Sequence, residues 1–126
     1  MVPTELRYTK DHEWLSVTGD TATVGITAFA GEQLGDIVFV ELPDVGRVLA
    51  QHETFGVVES VKAVSDLFSP IGGEVLETNA DLTGQPELVN SAPYEAGWMI
   101  RIKVSAPAEL DELLDAAAYD ALVAAG

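Results

Sequence analysis

Along most of the chain, apolar and polar residues alternate in short runs cut off by Gly, Pro and Asp, the period-two pattern of half-buried strands. Thr21 to Thr27 places Ala22, Val24 and Ile26 on one face. Asp36 to Leu42 is a Val-, Ile- and Phe-rich run that stops at Pro43-Asp44-Val45-Gly46, residues suited to a turn. Trp98 to Val104 sets Trp98, Ile100, Ile102 and Val104 against Met99, Arg101 and Lys103, which predicts a strand with one wet side. Thr27 to Gly35 breaks the alternation and predicts a short helix crossing between sheets. Gly56 to Pro70 carries apolar residues on both sides of a small-residue turn at Ser60 to Ala63, predicting a β-hairpin with Lys62 at its tip.

The period changes in the tail. Ser105 can cap a helix, Pro107 suits its first turn, and Glu109, Asp111 and Glu112 suit its positive end. Leu110, Leu113, Leu114 and Ala117 recur at helical spacing, and Leu122 and Val123 continue after a break at Asp115. The expected organisation is one domain over residues 1–126, a β body to about residue 104 and a helical appendage from 105 to 126. Pro43 to Leu49 and Pro70 to Leu76 share the pattern P-x-x-G-x-V-L. They are either two copies of a turn and ascending strand in related half-sheets, or unrelated turns marked by the same residue types.

Composition narrows the function. The 126 residues carry 6 Lys+Arg against 21 Asp+Glu, a formal charge of −15. A chain this long buries roughly two thirds of its unfolded surface, enough for a core without staples. With no basic face, nucleic acid and anionic membranes are poor partners. The first residues lack a signal or transit pattern, and the apolar tract from Ala116 is too short to span a bilayer, so a cytoplasmic location is expected. Zero cysteines exclude disulfides, thiolate nucleophiles and Cys-based metal sites. His12 and His52 form no helical metal pair, and no nucleophile elbow, Walker loop or dinucleotide fingerprint occurs. No metal site is expected, and carboxylate pairs for acid–base catalysis, too numerous among 21 acids for any one to stand out, stay open at this point.

Lys62 stands apart as the sole lysine between Lys10 and Lys103. A solvated cationic amine at a hairpin tip makes a poor base or Schiff-base residue and a good attachment point for a group added by another enzyme. The residue types alone favour the plainer reading, a surface lysine paired with Glu59 or Asp66.

Glu59-Ser60-Val61-Lys62-Ala63, followed by Ser65-Asp66, Ser69-Pro70 and Gly73-Glu74-Val75, resembles the lipoylation segment of the glycine cleavage system H protein family. Tyr8 to Trp14, Val24 to Thr27, Leu34 to Val38 with Leu42-Pro43, Pro86 to Asn90, and Pro93-Tyr94 with Gly97-Trp98 resemble further blocks of that family at similar spacing, over nearly the whole chain. A biotin carrier normally has methionines beside its lysine, where Val61 and Ala63 stand here. Lipoyl domains of 2-oxoacid dehydrogenases are shorter and lack the Glu13-Trp14 block and the tail.

The resemblance implies a mainly β fold, a lipoyl/biotinyl-type sandwich of two small antiparallel sheets with a lysine-bearing hairpin, a short crossing helix and a C-terminal helical segment. It implies a monomeric, non-catalytic carrier with lipoate joined to Lys62 as an amide. A pyridoxal-phosphate glycine decarboxylase would load the arm with an aminomethyl group, a tetrahydrofolate-dependent aminomethyltransferase would unload it, and dihydrolipoyl dehydrogenase would reoxidise it. The missing cysteines suit such a role, since the redox sulfur arrives on the cofactor with no protein thiol to exchange with it. An alternative role is octanoyl or lipoyl donor in lipoyl relay. Glu59, Ser60, Val61 and Ala63 would be gripped by the lipoate-attaching enzyme. By position, Glu13 and Asp66 would hold the amine of the loaded arm in a cleft. Asp11 departs from the small hydroxyl residue common in the family, and Trp14 and Trp98 are expected in the core.

Overall fold

The computed structural model describes residues 2–125, so Met1 and Gly126, the outermost residues of the expected domain, lie outside the described residues. Among the described residues, nine strands form two antiparallel sheets. The larger contains β1 (Arg7–Tyr8), β2 (Glu13–Thr18), β3 (Thr21–Ile26), β5 (Val48–Leu49), β8 (Gly73–Thr78) and β9 (Ile100–Val104), in the order β1-β2-β3-β9-β8-β5. The smaller contains β4 (Ile37–Glu41), β6 (Thr54–Ser60) and β7 (Val64–Phe68), in the order β4-β6-β7. The inward residues of the two sheets meet in one core: Ala22, Val24 and Ile26 from β3, Val58 from β6, Leu67 from β7, Val75 from β8, and Ile100 and Ile102 from β9. Burial of these alternate positions is what the period-two pattern demands, and it supplies the main favourable free energy of folding.

The crossing helix is α1 (Ala28–Leu34), started by the Thr27 hydroxyl accepting from Ala30 N–H at 3.2 Å and ended at Gly35. Two one-turn helices, α2 (Asp81–Gly84) and α3 (Leu88–Ser91), lie between β8 and β9 and send Leu82 and Val89 into the core. No described helix is long and apolar enough to cross a membrane.

Three expectations change in detail. The strand begins at Ile100 rather than Trp98, and Met99, expected on the wet face, is fully buried. Before the ladder begins, the chain approaches irregularly. Met99 N–H donates to Val24 O at 2.8 Å and Trp98 turns outward, its ring 4.1 Å beneath the Arg101 guanidinium. The tail is not one helix. A 3-10 turn, Pro107–Glu112, starts from Ala106 rather than Ser105, and an extended Leu113-Leu114 follows, in which Leu114 exchanges two 2.8 Å backbone bonds with Tyr8. Helix α4 (Ala116–Ala125) then begins where the Asp115 carboxylate accepts from Ala118 N–H at 2.8 Å. Finally, the ascending pieces of the P-x-x-G-x-V-L segments occupy one sheet, paired with each other as Val48↔Glu74 and Leu49↔Gly73. An antiparallel pair has its own local twofold axis, so similar residues flank it without two half-sheets being required.

Helix α4 seals a second apolar cluster of Leu6, Tyr8, Trp14, Ala116 and Tyr119. Its anchor is the buried Tyr119 hydroxyl, 2.8 Å from His12 Nδ1 and 2.7 Å from Thr27 Oγ1, with the Tyr119 ring stacked 4.8 Å from Tyr8. Trp14 is buried as expected and lies across Gly25, its partner on β3, while Trp98 is half-buried at the edge of this cluster.

Candidate functional site

The β6–β7 hairpin is closed by its own small residues. Ser60 N–H donates to Ala63 O at 2.8 Å, and the Ser60 hydroxyl accepts from Ala63 N–H at 3.0 Å and Lys62 N–H at 3.3 Å. Ser60 thus completes the turn with a side chain short enough to fold back on its own backbone. Beyond it, Val61 and Val64 are 72% and 67% exposed, a large apolar presence for a hairpin tip. Glu59 stands opposite Phe39 and Val64 on the outer face of the small sheet, and Ala63 is half-buried.

Lys62 is exposed at the tip. The ion pairs among the described residues are Arg47–Glu53 and Arg101–Glu77, so Lys62 is held by neither Glu59 nor Asp66. Its aliphatic stem lies instead over Gly35, where a Cβ would stand 3.4 Å from Lys62 Cε. An amine with a supported stem and no carboxylate partner is open to an acylating enzyme and to a long covalent arm.

Glu13 and Asp66 meet different environments. Glu13 opens β2 at 2% exposure, with Oε1 accepting from the Thr9 hydroxyl at 2.7 Å and Oε2 from Phe68 N–H at 3.4 Å. Burial in low dielectric penalises its charged form and pushes its pKa up to about 8, against the pull of those two donors. Glu13 is therefore mostly neutral at pH 7, and a cation brought against it would draw the proton off. Asp66 lies exposed on β7, opposite Val57 and two residues before Phe68, the residue whose N–H reaches Glu13. Thr9 ties this corner together. Besides its bond to Glu13 it accepts from Asp11 N–H and Glu13 N–H, each at 3.2 Å, and it lines an apolar cleft of about 420 Å³ with Asp11, His52 and Leu113. No local sequence pattern singles Thr9 out, because its role depends on the burial of Glu13 and on the turn at His12, held at φ 70°. No group of three His, Asp or Glu capable of holding a metal occurs among the described residues.

Residues 6–125 match the family model described as "Glycine cleavage H-protein". The chain is 59% identical over 125 residues to the glycine cleavage system H protein of Symbiobacterium thermophilum, covering 99% of this chain and 98% of that one. It is 62% identical over 120 residues to that of Magnetococcus marinus, covering 95% and 86%. A crystal structure of a glycine cleavage system H protein from Mycobacterium marinum superposes with a TM-score of 0.90 at 40% identity, over 98% of this chain and 99% of that one.

Proposed function

The chain belongs to the glycine cleavage H-protein family, the lipoyl carriers of the glycine cleavage system, and on that premise we propose that Lys62 bears its lipoyl group. The observation that carries this reading is the exposed tip lysine with no ion-pair partner, its stem resting on a glycine. The residues present suit the group: an accessible amine to form the amide, and a hairpin whose outer side chains, Val61 and Val64, offer apolar contact to an acylating enzyme. Bound there, lipoate supplies a reducible dithiolane on a long arm. The chain's own task is to present that arm to enzymes and to shelter it between visits, with no active site of its own.

In this reading Glu59, Ser60, Val61 and Ala63 form the surface gripped by the lipoate-attaching enzyme, with Ser60 keeping the turn tight. Glu13 and Asp66 hold the amine of the loaded arm. A cation reaching Glu13 stabilises the carboxylate charge that desolvation now suppresses, the displaced proton passing to solvent, and the two form a charge-assisted hydrogen bond while Thr9 and Phe68 keep the carboxyl oriented. Its partners are the pyridoxal-phosphate glycine decarboxylase, the aminomethyltransferase and dihydrolipoyl dehydrogenase. The protein works as a cytoplasmic monomer, residues 1–126 forming one domain. The net charge of −15 steers it toward basic docking surfaces on those enzymes.

The test is reconstitution. Lipoylated protein mixed with the decarboxylase is expected to support exchange of the carboxyl carbon of glycine with bicarbonate, and Lys62→Arg protein is expected to support none. Loaded protein that supports no exchange, yet donates its acyl group to other carriers, would replace the glycine-cleavage role with lipoyl relay.

A further inference from the structure

The loop that supports Lys62 is itself held by one side chain from a distant segment. Asn90, on α3, spans the turn between α1 and β4: its Oδ1 accepts from Ile37 N–H at 2.9 Å and its Nδ2 donates to Gly35 O at 3.0 Å. Gly35 lies at φ 86°, ψ −161°, a conformation essentially confined to glycine, and its N–H closes α1 on Gly31 O at 2.9 Å. Between the two clamped residues, the Asp36 carbonyl accepts from Val61 N–H at 3.1 Å. That bond moors the hairpin tip to the loop one residue before Lys62. The bonds within the turn, made by Ser60, fix its shape but leave free the direction in which the tip leans over the body.

We propose that Asn90 is a positioning residue for the Lys62 amine: by locking Gly35 to Ile37 it builds the shelf under the lysine stem and the mooring for Val61, so that the amine is presented in one direction to the enzyme that acylates it. The proposal rests on Lys62 being the acylated residue. In the step it serves, Lys62 Nζ forms a bond to the acyl carbon of a lipoyl adenylate, the acyl–phosphate bond breaks, AMP departs, and the ammonium protons in excess pass to solvent. Attack of this kind depends steeply on the angle and distance at which the amine arrives, so loosening its support lowers the loading rate. Gly35 adds a second constraint. A methyl at this position would just touch Lys62 Cε, and a longer side chain would take the place of the stem.

The test uses full-length protein with a lipoate ligase, lipoate and ATP, following loading by intact mass and backbone amide exchange by NMR. Asn90→Ala is expected to lower kcat/KM for loading about tenfold. It should speed exchange of the Val61 amide and leave that of Val58, deep in the same hairpin, unchanged. Asn90→Asp keeps the acceptor for Ile37 N–H but sets a carboxylate against Gly35 O, so its loading rate falls between the two. Wild-type protein that refuses lipoate overturns the attachment reading and this proposal with it. Wild-type loading with Asn90→Ala loaded equally fast overturns the proposal alone. So does a loss of Val58 protection in step with Val61, because the variant would then be acting through global unfolding.

Discussion

Replacing Glu13 with Gln tests the buried carboxyl that the site depends on. In the folded protein the Glu13 pKa rises from 4.5 to about 8, chiefly because burial disfavours the charged form. The sign follows from proton counting. Below pH 4.5 both states hold the proton and Glu13 adds no pH dependence. Between 4.5 and 8 the unfolded chain gives the proton up while the folded chain keeps it, so stability falls as pH rises. At roughly 1.4 kcal/mol per pH unit the full effect is about 5 kcal/mol, of which about 3 to 4 kcal/mol develops between pH 5 and pH 8. The amide of Gln keeps an acceptor for the Thr9 hydroxyl, loses the long 3.4 Å contact with Phe68 N–H, and does not titrate. Urea unfolding of both proteins from pH 5 to 8.5 is therefore expected to show near-equal stability at the acid end and a Gln variant several kcal/mol more stable at pH 8. His12, whose pKa burial lowers, contributes the opposite slope below pH 6.5, but it is present in both proteins and cancels in the difference. Stability curves that remain parallel within about 1 kcal/mol across this range would refute the account of Glu13 as a buried, proton-holding acid.

Three further substitutions probe the scaffold around the site. Tyr119→Phe removes the hydroxyl shared by His12 and Thr27 and is expected to cost about 2 kcal/mol in chemical denaturation, with faster amide exchange in α4. Gly25→Ala drives a methyl to within 2.7 Å of the Trp14 ring and is expected to cost about 1 to 3 kcal/mol, with a shifted Trp14 emission spectrum. Asp115→Ala deletes the cap of α4 and is expected to cost about 1 kcal/mol, read as a lower thermal midpoint with the hairpin resonances unmoved.

What could be read from the chain depended on how local its cause was. The alternation of Ala22, Val24 and Ile26 maps directly onto β3, because an antiparallel strand with one wet face carries its own burial pattern. Thr27 and Gly35 bracket α1 for equally local reasons. The same rule failed at Trp98-Met99, where the chain has not yet joined the ladder: Met99 turns into the main core while Trp98 packs at the edge of α4's cluster. It failed again in the tail, where Leu113 and Leu114 keep helical spacing but pairing with Tyr8 pulls the backbone straight. At the candidate site Lys62 and its hairpin stand out in the sequence, since isolation and turn residues are visible there. Glu13 reads as an ordinary strand-end charge, because Phe68, which helps to enclose it, is 55 residues away. Asn90 likewise reaches Gly35 across 55 residues, a distance over which residue patterns are silent.

The most direct test of the central claim is the mass of the protein taken from the cell that makes it, with peptide mapping across Val57 to Pro70. One lipoyl group in amide linkage on Lys62 is expected, with none on Lys10 or Lys103. A lipoyl group on either of those residues, biotin on Lys62, or a Lys62 that stays bare even after incubation with lipoate ligase, lipoate and ATP would contradict it.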